Sequence, residues 1–165
     1  IDESTWSRGQ SWAVYGYAMM YRYTGLARML ERSQLAYQFF KQAAHDQSLT
    51  WIPYADFNAL VDIRNPTDTS AAAVVASAAI ELYETTGNTL YLDDANDILN
   101  QLIQGYLSTG TDFESLLLAS SEQYVTEEDD RTPDTAGYEV GATFADYYFL
   151  EALYRLKNTA APECN

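Results

Sequence analysis

Hydrophobic positions along this 165-residue chain alternate between two kinds of helix. Over 10–23, apolar residues fall on every side of the helical wheel: Trp12, Val14, Tyr15, Tyr17, Met19, Met20 and Tyr21. A helix apolar all round predicts burial. Thr24-Gly25 ends it, glycine being the usual residue at a C-terminal stop. Residues 27–44 instead carry a stripe through Met29, Leu30, Ser33, Ala36, Tyr37 and Phe40, with Glu31, Arg32, Gln38 and Lys41 elsewhere. Such a helix covers the first from outside.

The pattern then repeats. Residues 70–83 are small and apolar all round and stop at Thr86-Gly87; residues 90–107 are striped through Tyr91, Ala95, Ile98, Leu102 and Tyr106. The two Thr-Gly stops lie 62 residues apart, and one inner plus one outer helix per unit predicts stacked helical hairpins. A third inner-type helix is expected over 142–156, with no outer partner after it. Residues 113–121 read as a short helix, and the acidic run 127–130, with Pro133 and Gly137, as a solvated loop. The fold class is therefore all-α, a single partial domain over 1–165 that begins and ends partway round a ring. Completion by further chain or by another polypeptide is expected.

Composition narrows the partners. With 24 acidic and 9 basic residues the net charge is −15, which disfavours nucleic acid, since that binding draws on clustered Lys and Arg. The charge also sets an unfavourable overall field for an acidic ligand, although a buried arginine acts locally where screening is weak. No stretch is long and apolar enough for a bilayer span, so no membrane partner is expected. Cys164 is the only cysteine and Asn65-Pro66-Thr67 is not a glycosylation sequon, which together lean toward a cytoplasmic address without excluding secretion.

The chemistry concentrates in Trp6-Ser7-Arg8-Gly9-Gln10-Ser11-Trp12, at the start of the first helix. Arg8 and Trp12 are four apart and share one face. A guanidinium fork grips a carboxylate in two parallel hydrogen bonds, and an indole beside it stacks on a sugar ring. The bland alternative is a solvated or capping arginine and a core tryptophan. Gln10 points off that face and is expected to brace the helix start.

Three segments resemble the unsaturated glucuronyl hydrolases, glycoside hydrolase family 88: Trp6 to Trp12 leading into YGYAMMYRYTG; Pro53-Tyr-Ala-Asp-Phe57 with Thr67-Asp-Thr-Ser-Ala-Ala-Ala73; and Ala145-Asp-Tyr-Tyr-Phe-Leu-Glu-Ala-Leu153. The resemblance spans essentially the whole chain and implies the C-terminal portion of a six-hairpin α/α toroid. It implies an enzyme that removes a terminal 4,5-unsaturated uronic acid from oligosaccharides in polysaccharide degradation. In that chemistry an acid protonates C4, water adds at C5, and the hemiketal collapses to release the aglycone. This differs from hydrolysis by two carboxylates flanking an anomeric centre. The resemblance assigns Arg8 and Trp12 to substrate binding. The family's catalytic aspartates lie upstream of the motif, where Asp2 and Glu3 are poor stand-ins, so no catalytic residue is assigned within this chain and the segment alone is expected to be inactive. Alternatives are an unsaturated rhamnogalacturonyl hydrolase, whose motif usually carries Asn and Gly where Gln10 and Ser11 stand, and a non-catalytic helical scaffold. A sugar site predicts an aromatic-lined concavity around Arg8; a scaffold predicts scattered polar residues.

Other residues carry weaker signals. Asp68 precedes an inner helix, where it is expected as a cap or as a contact to substrate or Arg8. Asp56 is expected as a turn residue or part of the same rim. Asp146, in an apolar helix, needs a partner, with Tyr or Arg expected. Tyr15, Tyr17, Tyr21 and Tyr23 are expected mostly in the core, and Ser120, Ser121 and Tyr124 as cap or substrate contacts. His45 is the only histidine, and neither a metal nor a cofactor is expected.

Overall fold

In the computed structural model, residues 4–61, 65–121 and 140–160 are described, and they form five helices. These are α1 (Ser7–Thr24), α2 (Ala27–Ser48), α3 (Thr69–Thr86), α4 (Thr89–Tyr106) and α5 (Thr143–Ala160). Each matches an expected helix, with ends displaced by a few residues. Both Thr-Gly stops cap as expected: Gly25 and Gly87 adopt φ of 65° and 70°, a left-handed turn that glycine takes without a Cβ penalty.

Helix α3 is the middle of the molecule. It packs along α1 on one side and α5 on the other, with α4 behind it, while α2 backs α1. The run from Thr69 to Leu82 is buried throughout. Small side chains make this possible: Ala71, Ala72, Ala73, Ala76, Ala78 and Ala79 let neighbours approach on three sides. Ile80, Leu82, Phe40, Ile98, Leu99 and Leu102 fill the core behind, and burial stabilises by roughly 1.5–3 kcal/mol for each such side chain. The outer helices are joined by side chains. Tyr37 and Lys41 of α2 both donate to Asp94 of α4 at 2.6 Å, and the Tyr37 and Tyr91 rings meet edge to face.

Helix α1 departs from the expected full burial. Tyr17, Met20 and Tyr23 are exposed, as are Tyr147, Leu150 and Tyr154 on α5. The reason is position: α1 and α5 are the two ends of the inner row, so each lacks on one side the neighbour that covers α3. Most of the α1 tyrosines are therefore not core.

The expected helix over 113–121 is absent. Its backbone is held in extended pairings instead: Ser108 N–H donates to Leu116 O at 3.0 Å, Leu118 N–H to Tyr106 O at 2.8 Å, and Ala119 has φ of 58°. Asp146 takes two further amides of the segment. Its carboxylate accepts from Leu116 and Leu117 N–H at 3.0 Å and from the Ser115 hydroxyl at 2.8 Å. Among the described residues those groups, and neither Tyr nor Arg, are its partners. The acidic run 127–130, Pro133, Gly137, Tyr124, Asp2, Glu3 and Cys164 lie outside the described residues.

Candidate functional site

Helices α1, α3 and α5 run in the same direction, so their first turns share one rim. Arg8 opens α1, Asp68 caps α3 and Phe144 opens α5, and the three meet there. Two short pairings build the rim's backbone. Ser7 N–H donates to Ala55 O at 2.9 Å and Phe57 N–H to Thr5 O at 3.0 Å, while Asp68 N–H reaches Pro53 O at 2.8 Å. Asp56 sits in this turn as a structural residue. Its carboxylate is buried and accepts from Thr5 N–H at 3.1 Å, Asn58 N–H at 2.7 Å and the Ser4 hydroxyl.

Arg8 is only 5% exposed. Its guanidinium lies between two aromatic faces, with Cζ 4.9 Å from the Trp6 ring centre and 4.7 Å from that of Phe144. Cation–π contact with two rings fixes the plane of the fork. Nη1 then donates to Asp68 Oδ2 at 3.2 Å, to Ser70 Oγ at 3.0 Å and to the Ser121 carbonyl. Asp68 is buried completely and is itself anchored: Oδ1 accepts from Ser70 N–H at 3.1 Å, from the Ser70 hydroxyl and from Ser121 N–H at 3.4 Å. Burial raises the Asp68 pKa, while the Arg8 charge and these donors pull it down; the net direction is up. Capping and contact with Arg8, set out above as alternatives, are both realised in one side chain.

Below the rim, two matched ladders face each other. Arg8, Trp12 and Tyr15 step down α1 at i, i+4 and i+7, and Phe144, Tyr148 and Glu151 step down α5 in the same spacing. Arg8 meets Phe144, Trp12 meets Tyr148 edge to face at 5.0 Å, and Tyr15 donates to Glu151 at 3.1 Å. These side chains reach across α3, and Ser77 of α3 joins them by donating to Glu151 at 2.5 Å. Burial, then the adjacent Glu151, pushes the Tyr15 phenol well up and raises that of Tyr148, so both remain neutral at physiological pH.

At the opposite ends of the inner helices stands a charged clasp that sequence reading missed. Glu81, fully buried, accepts from Arg22 Nε of α1 at 2.6 Å and Arg155 Nη1 of α5 at 2.7 Å, and Glu84 joins both arginines. A glutamate inside an otherwise apolar buried helix was the available signal, since such a group is seldom buried unpaired.

The remaining expected residues fall as follows. Gln10 donates to Ala36 O of α2 at 3.3 Å, so it braces α1 against its outer partner. Ser120 pairs with the Thr69 hydroxyl at 3.0 Å, and Ser121 contributes backbone groups to Arg8 and Asp68. His45 packs edge to face on Trp51 near the end of α2. Among the described residues no three His, Cys, Asp or Glu side chains group so as to hold a metal, and no helix is long and apolar enough to cross a membrane. A cleft of about 620 Å³ opens near the start of α5, lined by Asp112, Phe113, Glu114, Ser115, Gly141, Thr143 and Asp146. It includes neither Arg8 nor Trp12, and its carboxylates disfavour an anionic ligand.

No protein-family model matches the chain. An unsaturated glucuronyl hydrolase of Formosa agariphila is 40% identical over 157 residues, covering 94% of this chain and 37% of the relative. Among solved structures, an unsaturated glucuronyl hydrolase specific for heparin aligns with a TM-score of 0.79 at 32% identity, covering 96% of this chain and 41% of that one. The unsaturated glucuronyl hydrolase of Bacillus sp. GL1, responsible for the degradation of glycosaminoglycan, aligns with a TM-score of 0.78 at 27% identity over the same shares. The chain thus spans about two fifths of the length of the relatives it matches. The alternation of inner and outer helices is that of an α/α toroid, of which the five helices form an arc.

Proposed function

We propose that this chain, similar over nearly all its length to unsaturated glucuronyl hydrolases, is the C-terminal part of a glycoside hydrolase acting on oligosaccharides that end in a 4,5-unsaturated uronic acid. The reaction is hydration of the C4=C5 bond: a carboxylic acid gives its proton to C4, water adds at C5, and the hemiketal opens to release the aglycone. The acid belongs to the rest of the toroid, whose helices also cover the exposed edges of α1 and α5. This segment supplies the hold on the sugar, Arg8 toward the carboxylate and Trp12 against the ring.

One observation carries the reading. Arg8 stands between the Trp6 and Phe144 rings with Trp12 and Tyr148 one turn below, and the aromatic part of this surround, beside its polar partners Asp68, Ser70 and Ser121, favours a pyranose. Helix α1 also starts without a side-chain cap and without an acidic residue in its first turn, so its positive end adds to the field of Arg8. Arg8 already serves Asp68, and the sugar carboxylate joins that set of acceptors on a fork with donors on three nitrogens.

Arg8→Ala in the complete enzyme tests this. Loss of a charge-assisted contact is expected to cost roughly 2–4 kcal/mol of transition-state stabilisation, a fall in kcat/KM of roughly 30- to 1,000-fold. Normal kinetics in the folded variant would make Arg8 structural. The segment by itself is expected not to turn over an unsaturated disaccharide; loss of the substrate's ultraviolet absorbance on adding it would refute the missing-acid assignment.

A further inference from the structure

We propose that Asp68 and Ser70 are positioning residues for substrate binding, acting through Arg8 to hold its fork in the one orientation that meets the sugar carboxylate. The inference rests on the reading of Arg8 as a substrate-binding group and adds to it the part of the fold that aims it.

Two constraints define the position of a planar group, its plane and one anchored corner. The rings of Trp6 and Phe144 set the plane of the guanidinium. The corner is Nη1, which Asp68 Oδ2 and Ser70 Oγ accept from at 3.2 and 3.0 Å. Ser70 ties the anchor together, because its hydroxyl accepts from Arg8 while donating to Asp68 Oδ1. Asp68 does not wander, since it caps α3 and takes Ser70 N–H and Ser121 N–H on the same oxygen. The first turn of α3, the most buried helix, is thereby coupled to the side chain offered to the ligand. An arginine left to itself has many rotamers to give up on binding; here that ordering is completed on folding. Asp68 touches no substrate atom in this scheme.

A competing effect has the opposite sign and makes the inference testable. Removing the Asp68 charge leaves Arg8 more attractive to an anion, so a purely electrostatic role predicts tighter binding in Asp68→Asn. A positioning role predicts weaker binding. In the complete enzyme, assayed on an unsaturated disaccharide, Asp68→Asn is expected to raise KM by roughly ten-fold, with kcat changed less than about two-fold, as loss of a hydrogen bond to a charged group implies. The same change made in an Arg8→Ala background is expected to have almost no further effect, because the residue acts only through Arg8. Ser70→Ala, a milder change that spares the cap carboxylate, is read in the same cycle should Asp68→Asn fold poorly. A fall in KM, an unchanged KM, or an equal rise in both backgrounds overturns the positioning role while leaving Arg8 as a ligand-binding residue. If Arg8→Ala itself leaves both KM and kcat/KM unchanged, the functional reading falls and the positioning role with it.

Discussion

Gly9 explains why a glycine follows Arg8. A Cβ there would stand 2.7 Å from Cε3 of Trp6, so the bare backbone lets the indole lie against the first turn of α1, beneath the guanidinium. Asp68 is the second residue with a physical signature. Its carboxyl is raised by burial from the ordinary 3.8, so the folded protein binds that proton more tightly than the unfolded chain does. The resulting stability is fully present below pH 3.8 and is lost as the pH rises through the raised value. Relative to Asp68→Asn, the native protein is therefore expected to gain stability as the pH falls, in thermal unfolding followed over roughly pH 3–7. If it loses ground instead, Arg8 holds the carboxylate ionised and burial is the weaker force. The sequence shows the spacing of Arg8 and Trp12 plainly. It does not show Phe144 and Tyr148, because nothing local says that a helix 136 residues away stands across from α1.

Helices were more legible than the contacts between them. The small, uniformly apolar run of α3 predicts a buried centre because only small residues admit neighbours on every side, and the Thr-Gly stops fix the hairpin corners. Helix α1 has an equally apolar pattern and yet leaves Tyr23 80% exposed, since burial depends on a neighbour that composition does not reveal. The pattern of 113–121 suits a short helix, but side-chain pattern cannot show that Asp146 takes the Leu116 and Leu117 amides. The clasp at the far end gives a prediction at this scale. Glu81→Gln removes the buried one of the two carboxylates that join Arg22 and Arg155 to α3, leaving only the more exposed Glu84 between them. Breaking such a pair is expected to cost about 3 kcal/mol, taken at the low end because Arg22 is partly solvated. Calorimetry of the complete protein, if it has the length of the relatives, should show the unfolding midpoint lowered by roughly 3–5 °C. An unchanged midpoint would mean that the clasp merely satisfies its own charges.

The molecule as a whole is an arc with two unlike rims. One gathers Arg8, Asp68, Trp6 and Phe144; the other gathers the acid–arginine clasp that holds the same three helices. Against a net charge of −15, the Arg8 rim holds one arginine between two rings, paired with the buried Asp68, and the Asp56 carboxylate lies in the adjoining turn. The exposed stripes on α1 and α5 lie at the two ends of the arc, and the chain spans about two fifths of the relatives' length. The crystal structure of the complete enzyme with an unsaturated uronic-acid disaccharide bound tests the assignment most directly. The sugar carboxylate is expected within hydrogen-bond distance of Arg8, with the pyranose ring against Trp12. A sugar seated with its carboxylate on other residues, while Arg8 keeps only its protein partners, would contradict it.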